Sequence, residues 1–477
     1  MHRAFVAILM ASTALGFAAG HAHAQTSGSN QVYVGQTGET NTVLIEQEGN
    51  GNNVGANRDA LRFNQNGLDN LIDIYQYGYS NSVGATLRDV RRAAYGLDQI
   101  GDSNSLEIDQ INTDPGSGNI VEAIYQNSSS AVSNARNILI IRQETAAGAG
   151  PYNHRVGQIV QRDFSTTPLG GSMRDPDETI SVGLGDNIVS IVQTGGGIAG
   201  GNTVETVMQE GTANEIDIRQ AFDRNLVDRV QQTGALNAIR IDQVGSNNLV
   251  AEVAQNNEGR ASLGNTVVLN FAASGTGRSA IGVTGAFREA AGALGVDQAS
   301  VFQTGDANDV NFSVAQGDNN LFGFMQVGDG NDVLGTVSGT DNETAALQIG
   351  DGNNVRFDLD GVGNVLAVQQ DGNNNRVNAT LAGNLNNAGA FTGPVPGIAK
   401  AADLAPGLFR QLGDSNLVDV AMTGDRQLVA VLQQGNSNEV AAVMSGSGHQ
   451  AVIIQTGNGN LASLNQSGQN NTATIRQ

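Results

Sequence analysis

The chain is patterned as short strands. Eleven segments open with Asn and close with Gln six residues later: Asn41 and Gln47, Asn70 and Gln76, Asn104 and Gln110, Asn187 and Gln193, Asn214 and Gln220, Asn237 and Gln243, Asn320 and Gln326, Asn342 and Gln348, Asn364 and Gln370, Asn460 and Gln466, Asn471 and Gln477. In a strand the second and fourth residues after the Asn share its face. Of those 22 positions 21 are apolar, and Thr344 is the exception. The opposite face offers 33 positions, of which 11 are charged, among them Glu46, Asp73, Glu215 and Arg240. That alternation predicts half-buried strands, not helices, with Asn and Gln on the inner face.

Turns follow the strands. Gln-x-Gly recurs from Gln36 to Gln466, and in sixteen of seventeen places Asn stands five residues after the Gln. The Gly permits a positive φ, and Asn, Asp and Ser fill the remaining turn positions. Strand plus turn makes eleven residues. Gln326, Gln348 and Gln370 are 22 apart, as are Gln411, Gln433 and Gln455, so two strands make one coil. The fold class is therefore all-β, a β-solenoid in which each strand stacks about 4.8 Å above the one a coil earlier. A buried amide is costly alone, but one stacked on its own copy donates to the next carbonyl, so the twenty outer Asn and Gln residues of ten of these segments (all but Asn187 and Gln193) are expected to form ladders.

The repeat domain is expected over 31–477, after a short segment 25–30. It is interrupted near 144–182, 271–297 and 385–410, stretches that hold six of the seven prolines and the single lysine, Lys400. Insertions of this kind project from one rim of a solenoid. Before the repeats, a basic start at His2-Arg3, an uncharged run from Ala4 to Gly20 and the small-x-small triplet Ala22-His23-Ala24 predict a secretory signal peptide over 1–24. No second apolar run reaches membrane length.

Composition narrows the chemistry. A net charge of −22 disfavours nucleic acid and anionic membranes as partners. The absence of cysteine excludes disulfides and Cys-ligated metals. Beyond the leader only His154 and His449 remain, too few for a His-based catalytic or metal centre, and both read as structural. No catalytic residue and no cofactor is expected. Gly-Asp turns at Asp102, Asp186, Asp306, Asp318, Asp329, Asp351, Asp414 and Asp425 invite comparison with calcium-binding β-rolls. The period here is 11 and 22, not nine, and Asn or Thr often replaces the Asp, so polar turn chemistry is the better reading.

The stretch Gln455-x-Gly457-x-Gly459-Asn460-x-Ala462-x3-Gln466 resembles the repeat of the curlins, the subunits of curli-type bacterial amyloid fibres. Gln466-x-Gly468-x-Asn470-Asn471-x-Ala473-x3-Gln477 matches with one change, and His449 stands where the family has its leading Ser. The resemblance implies a secreted, extracellular or cell-surface, non-enzymatic fibre subunit (major, minor or nucleating) serving adhesion and biofilm matrix. By resemblance its partners are copies of itself, a curli-type nucleator and an outer-membrane secretion pore reached through the periplasm. The alternative reading is a monomeric solenoid adhesin or calcium-binding β-roll-like protein.

Overall fold

The computed structural model describes residues 20–25, 30–37, 41–55, 63–68, 70–84, 97–114, 118–128, 136–145, 154–163, 186–195, 200–257, 263–278, 292 and 294–477. Of the expected signal peptide 1–24, residues 1–19 lie outside the described residues. The chain divides into two units, residues 1–240 and 241–477, and each is a stack of parallel strands in two sheets. This is the β-solenoid expected from the sequence.

In the N-terminal unit, sheet N1 runs through Gly20–Gln25, Thr42–Asn50, Leu71–Tyr79, Ser105–Asn112, Asn137–Thr145, Asn187–Gly195 and Glu215–Gln220. Sheet N2 begins with split strands, Gln31–Val32 with Val34–Thr37, Asn53–Val54 with Phe63–Asn66, and Ser82–Val83 with Leu97–Gly101. It continues through Ile120–Ser128, Arg155–Asp163, Thr203–Thr212 and Leu226–Ala235. In the C-terminal unit, sheet C1 holds Thr266–Phe271, Asp309–Gln316, Asp332–Ser338, Asn354–Asp360, Arg376–Ala382, Leu417–Asp425, Glu439–Ser447 and Leu461–Gln469. Sheet C2 holds Leu249–Asn256, Ser300–Thr304, Leu321–Val327, Glu343–Ile349, Val365–Asp371, Leu408–Leu412, Leu428–Gln434, Gln450–Thr456 and Thr472–Arg476.

The stretch 144–182, expected to leave the stack, contributes the full strand Arg155–Asp163. It escapes an Asn-x5-Gln search because strands of this type carry one extra residue. Asn119 to Gln126, His154 to Gln161, Asn202 to Gln209 and Asn225 to Gln232 are seven apart. The strand pairing skips Glu122, Gly157, Glu205 and Asp228 in register, so these four strands of sheet N2 bulge at the same place and their columns stay aligned. Arg155 reaches along this bulged column and pairs with both Glu122 and Glu205.

The core of each unit is the space between its two sheets. In the C-terminal unit Phe271, Phe312 and Phe357 of C1 meet Phe322 and Phe324 of C2, with ring centroids 5.2–6.3 Å apart. Gly335 makes room for this cluster, since a Cβ there would lie 2.1 Å from the Phe357 ring.

Sheet C2 carries a second apolar layer on its outer face. Ala345, Leu347, Val365, Ala367, Leu408, Leu428, Ala430, Val452 and Ile454 are buried there under Leu294, Val296, Phe391, Leu404 and the short helix Val395–Ala401. The insertions near 271–297 and 385–410 thus fold back as a cover. Their limits are narrower than the sequence suggested. Thr276 accepts no new course, since its N–H donates to Asn248 Oδ1 within the coil, and Asn386 and Asn387 hold coil hydrogen bonds. Gln370 and Gln411 are 41 apart and their neighbours 22. The difference, 19, is the length of 388–406. Glu343, on the face of its strand opposite Asn342, is 8% exposed.

Candidate functional site: the amide columns

The inward Gln side chains form continuous hydrogen-bonded columns. In N1 the column runs Gln47, Gln76, Gln110, Gln143, Gln193, Gln220, and in N2 it runs Gln36, Gln65, Gln99, Gln126, Gln161, Gln209, Gln232. In C2 it runs Gln255, Gln303, Gln326, Gln348, Gln370, Gln411, Gln433, Gln455, with its last link to Gln477. Every link has the same direction: Nε2 of one Gln donates to Oε1 of the next toward the C-terminus, at 2.6–3.0 Å. The second N–H commonly goes to a main-chain carbonyl, as from Gln348 to Asp332 and from Gln455 to Glu439. Such a buried amide is fully satisfied only inside a column.

The Asn columns run the other way. Asn41, Asn70, Asn104, Asn137, Asn187, Asn214 and Asn237 form one. Asn320, Asn342, Asn364 and Asn386 form another. A third runs Asn265, Asn308, Asn331, Asn353, Asn375, Asn416, Asn438, Asn460. Here Oδ1 accepts the main-chain N–H of the next Asn, and most Nδ2 groups donate backward as well as to a turn carbonyl. Asn342, for instance, donates to Asn320 Oδ1 at 3.0 Å and to Gly361 O at 2.9 Å.

Of the residues singled out from the sequence, Gln243 is buried at its strand end. Asn471 and Gln477 stand in register but exposed on the last coil. Gln466 departs from expectation. The C1 positions in register below it hold Phe271, Val314, Val337, Leu359, Leu381, Met422 and Met444. Gln466 therefore lies over Met444, its Nε2 donates only to Gln450 O, and its buried Oε1 has no partner. Apolar residues can replace an amide column as a whole, because neither neighbour is then left unpaired.

Both histidines are rungs in Asn positions. His154 Nδ1 accepts the Asn202 main-chain N–H and its Nε2 donates to Glu144 O, each at 3.2 Å. His449 does the same with Asn471 N–H and Ser445 O. In His154 this arrangement suits the neutral tautomer with the proton on Nε2. His154 is 1% exposed, and burial pushes its pKa below the usual value. A lowered imidazole pKa means stability that is present above about pH 6.5 and lost as pH falls through the folded value. The wild-type protein should therefore lose stability relative to His154→Asn between pH 7.5 and 5, which denaturant midpoints across that range would show.

The carboxylates behave oppositely. Burial first, and Glu107 and Glu46 second, push Asp73 up, and burial followed by the Asp332 charge does the same to Asp309. A raised carboxylate opposes folding at neutral pH and is relieved as pH falls toward about 4. Burial of Asp73 and Asp309, reinforced by their acidic neighbours, is thus a cost that mild acid relieves.

Gln427 also takes an Asn position. Its main-chain N–H donates to Asn386 Oδ1 and its Nε2 to Thr423 O, but the longer side chain leaves Oε1 buried and unpartnered. Gln427→Asn should recover the acceptor and raise stability by about 1 kcal/mol in chemical denaturation.

The Gly-Asp turns are occupied by the stack itself. Asp306 N–H donates to Asp329 Oδ1, Asp329 N–H to Asp351 Oδ1, and Asp351 N–H to Asn373 Oδ1, at 2.8–2.9 Å. Asp and Asn interchange in this column because each offers an Oδ1. Among the described residues no three His, Asp or Glu side chains converge to hold a metal, and no helix is long and apolar enough to cross a membrane.

The family model for the curlin associated repeat matches residues 67–111 and 445–468. Comparison with curated proteins returns no match. Residues 67–111 contain the rungs Asn70, Gln76, Asn104 and Gln110, and residues 445–468 contain His449, Gln455, Asn460 and Gln466. These two regions of the chain thus carry the curlin associated repeat.

Proposed function

We propose that the chain is a secreted, non-enzymatic structural protein, a subunit of an extracellular curli-like amyloid fibre used in adhesion and biofilm matrix. Its leader is 1–24, its path runs through the periplasm and an outer-membrane pore, and its partners are further copies and a curli-type nucleator. The observation that carries this reading is the direction of the columns. At the C-terminal end Gln477 Nε2 holds one acceptor, Leu461 O, and Gln466 Nε2 one, Gln450 O, so each keeps an N–H to give. At the N-terminal end Gln47 Oε1 is a buried acceptor without a donor. Donor end meets acceptor end only head to tail, and a head-to-tail contact that does not close into a ring makes a filament. The strands Val34–Thr37 and Thr472–Arg476 pair on one side only among the described residues, leaving main-chain groups to be satisfied the same way.

The purified mature chain should form thioflavin-positive fibres with a repeat of about 4.8 Å. Ile475→Pro, which removes a ladder N–H in the last strand, should slow seeded elongation with circular dichroism unchanged. A soluble monomer that folds only with calcium would overturn the reading.

A further inference from the structure

The strand Gly20–Gln25 lies parallel to Thr42–Asn50, in register from Gly20 on Val43 to Gln25 on Glu48. It completes the N-terminal edge of sheet N1, which without it would present unpaired main-chain groups. The expected leader cleavage falls between Ala24 and Gln25, inside this strand. We propose that the end of the leader is a self-cap, which holds the N-terminal assembly edge closed until it is removed; this rests on the fibre reading above.

The cap fits the backbone but not the column. Ala24 occupies the register position of Gln47, and alanine has no amide to give. Gln47 is 1% exposed, donates to Gln76 at 2.6 Å, and leaves its buried Oε1 with no partner. A terminal strand of another copy that carries Gln at this register would supply both the main-chain ladder and the missing donor. The leader is thus a placeholder of lower affinity than the strand that replaces it. Sheet N2 has no such cover among the described residues, since Gln31–Val32 and Val34–Thr37 pair only toward Asn53–Val54 and Phe63–Asn66. The cap therefore closes half of the end coil.

A chain that keeps residues 20–24 still has a free C-terminal edge. It can add to a growing end and then refuse the next copy, so it should act as a chain terminator. The test mixes the full mature chain, starting at Gln25, with a chain starting at Gly20, on preformed mature seeds followed by dye fluorescence. Capped chains block only the fibre end that presents N-terminal edges, so one capped chain in ten should cut total elongation about twofold where both ends grow. His23→Pro in the capped chain, which removes the N–H that the parallel register directs at Ile45 O, should return the rate to that of mature chain alone. Undiminished elongation, or slowing that persists with His23→Pro, would overturn the cap while leaving the fibre reading intact. Failure of the mature chain to form fibres would overturn both.

Discussion

Gln348→Leu is expected to cost the C-terminal unit about 3 kcal/mol, although leucine fits the space. Leu359 and Leu381 fill the corresponding position of sheet C1, so neither volume nor strand geometry forbids the change. The loss comes from what is left behind. Gln326 Nε2 loses its acceptor at 2.8 Å, Gln370 Oε1 its donor at 2.9 Å, and Asp332 O its donor at 3.1 Å. Each stays buried, at about 1–3 kcal/mol for an unsatisfied group, offset in part by the apolar burial of leucine. The exposed Asp360→Asn, on the same kind of strand, should shift stability by less than about 0.5 kcal/mol. Equal shifts of the denaturation midpoint in the two variants would show that the column does not hold the coils together.

Deleting 388–406 is expected to leave the coils folded and make them adhere sideways. The excision restores the 22-residue spacing between Gln370 and Gln411, so the column can close as its neighbours do. Asn387 and Gly407 are already adjacent, since a Cβ on Gly407 would lie 3.0 Å from that of Asn387. What is lost is the cover over Val365, Ala367, Leu428, Ala430, Val452 and Ile454. Uncovering the four larger of these forfeits on the order of 5 kcal/mol of apolar burial and leaves a contiguous exposed patch on a flat sheet. Increased binding of a hydrophobic dye, larger species in light scattering and laterally bundled fibres should follow. A monodisperse variant with unchanged dye binding would mean that the insertion shields nothing.

The inner face was legible where the columns of N1, N2 and C2 obey one constraint: an amide must meet an amide. Asn320, Gln326, Asn342 and Gln348 could be placed from spacing alone. Sheet N2 was harder to read, because the bulge at Glu122, Gly157 and Glu205 shifts the Gln by one residue and His154 replaces the Asn. Both signals are visible once His is recognised as offering the same acceptor and donor as Asn. The outer layer on C2 was missed for a different reason. Its marks are apolar residues such as Leu347 and Ile454 on a face that elsewhere carries charge, and averaging over all strands hides them. The unpartnered Oε1 of Gln466 could not be foreseen, since only the pairing shows Met444 beneath it.

The amide columns also give each coil its own clock. Both Nε2 protons of an inner Gln are engaged, as Gln370 shows with Asn354 O and Gln411 Oε1, and they can exchange with solvent deuterium only when that coil opens. Gln477, exposed and with its Nε2 held by one bond, should exchange at once. Side-chain NH2 exchange rates, resolved residue by residue, would therefore report the free energy of local opening along the stack, with one reporter for each turn of the chain.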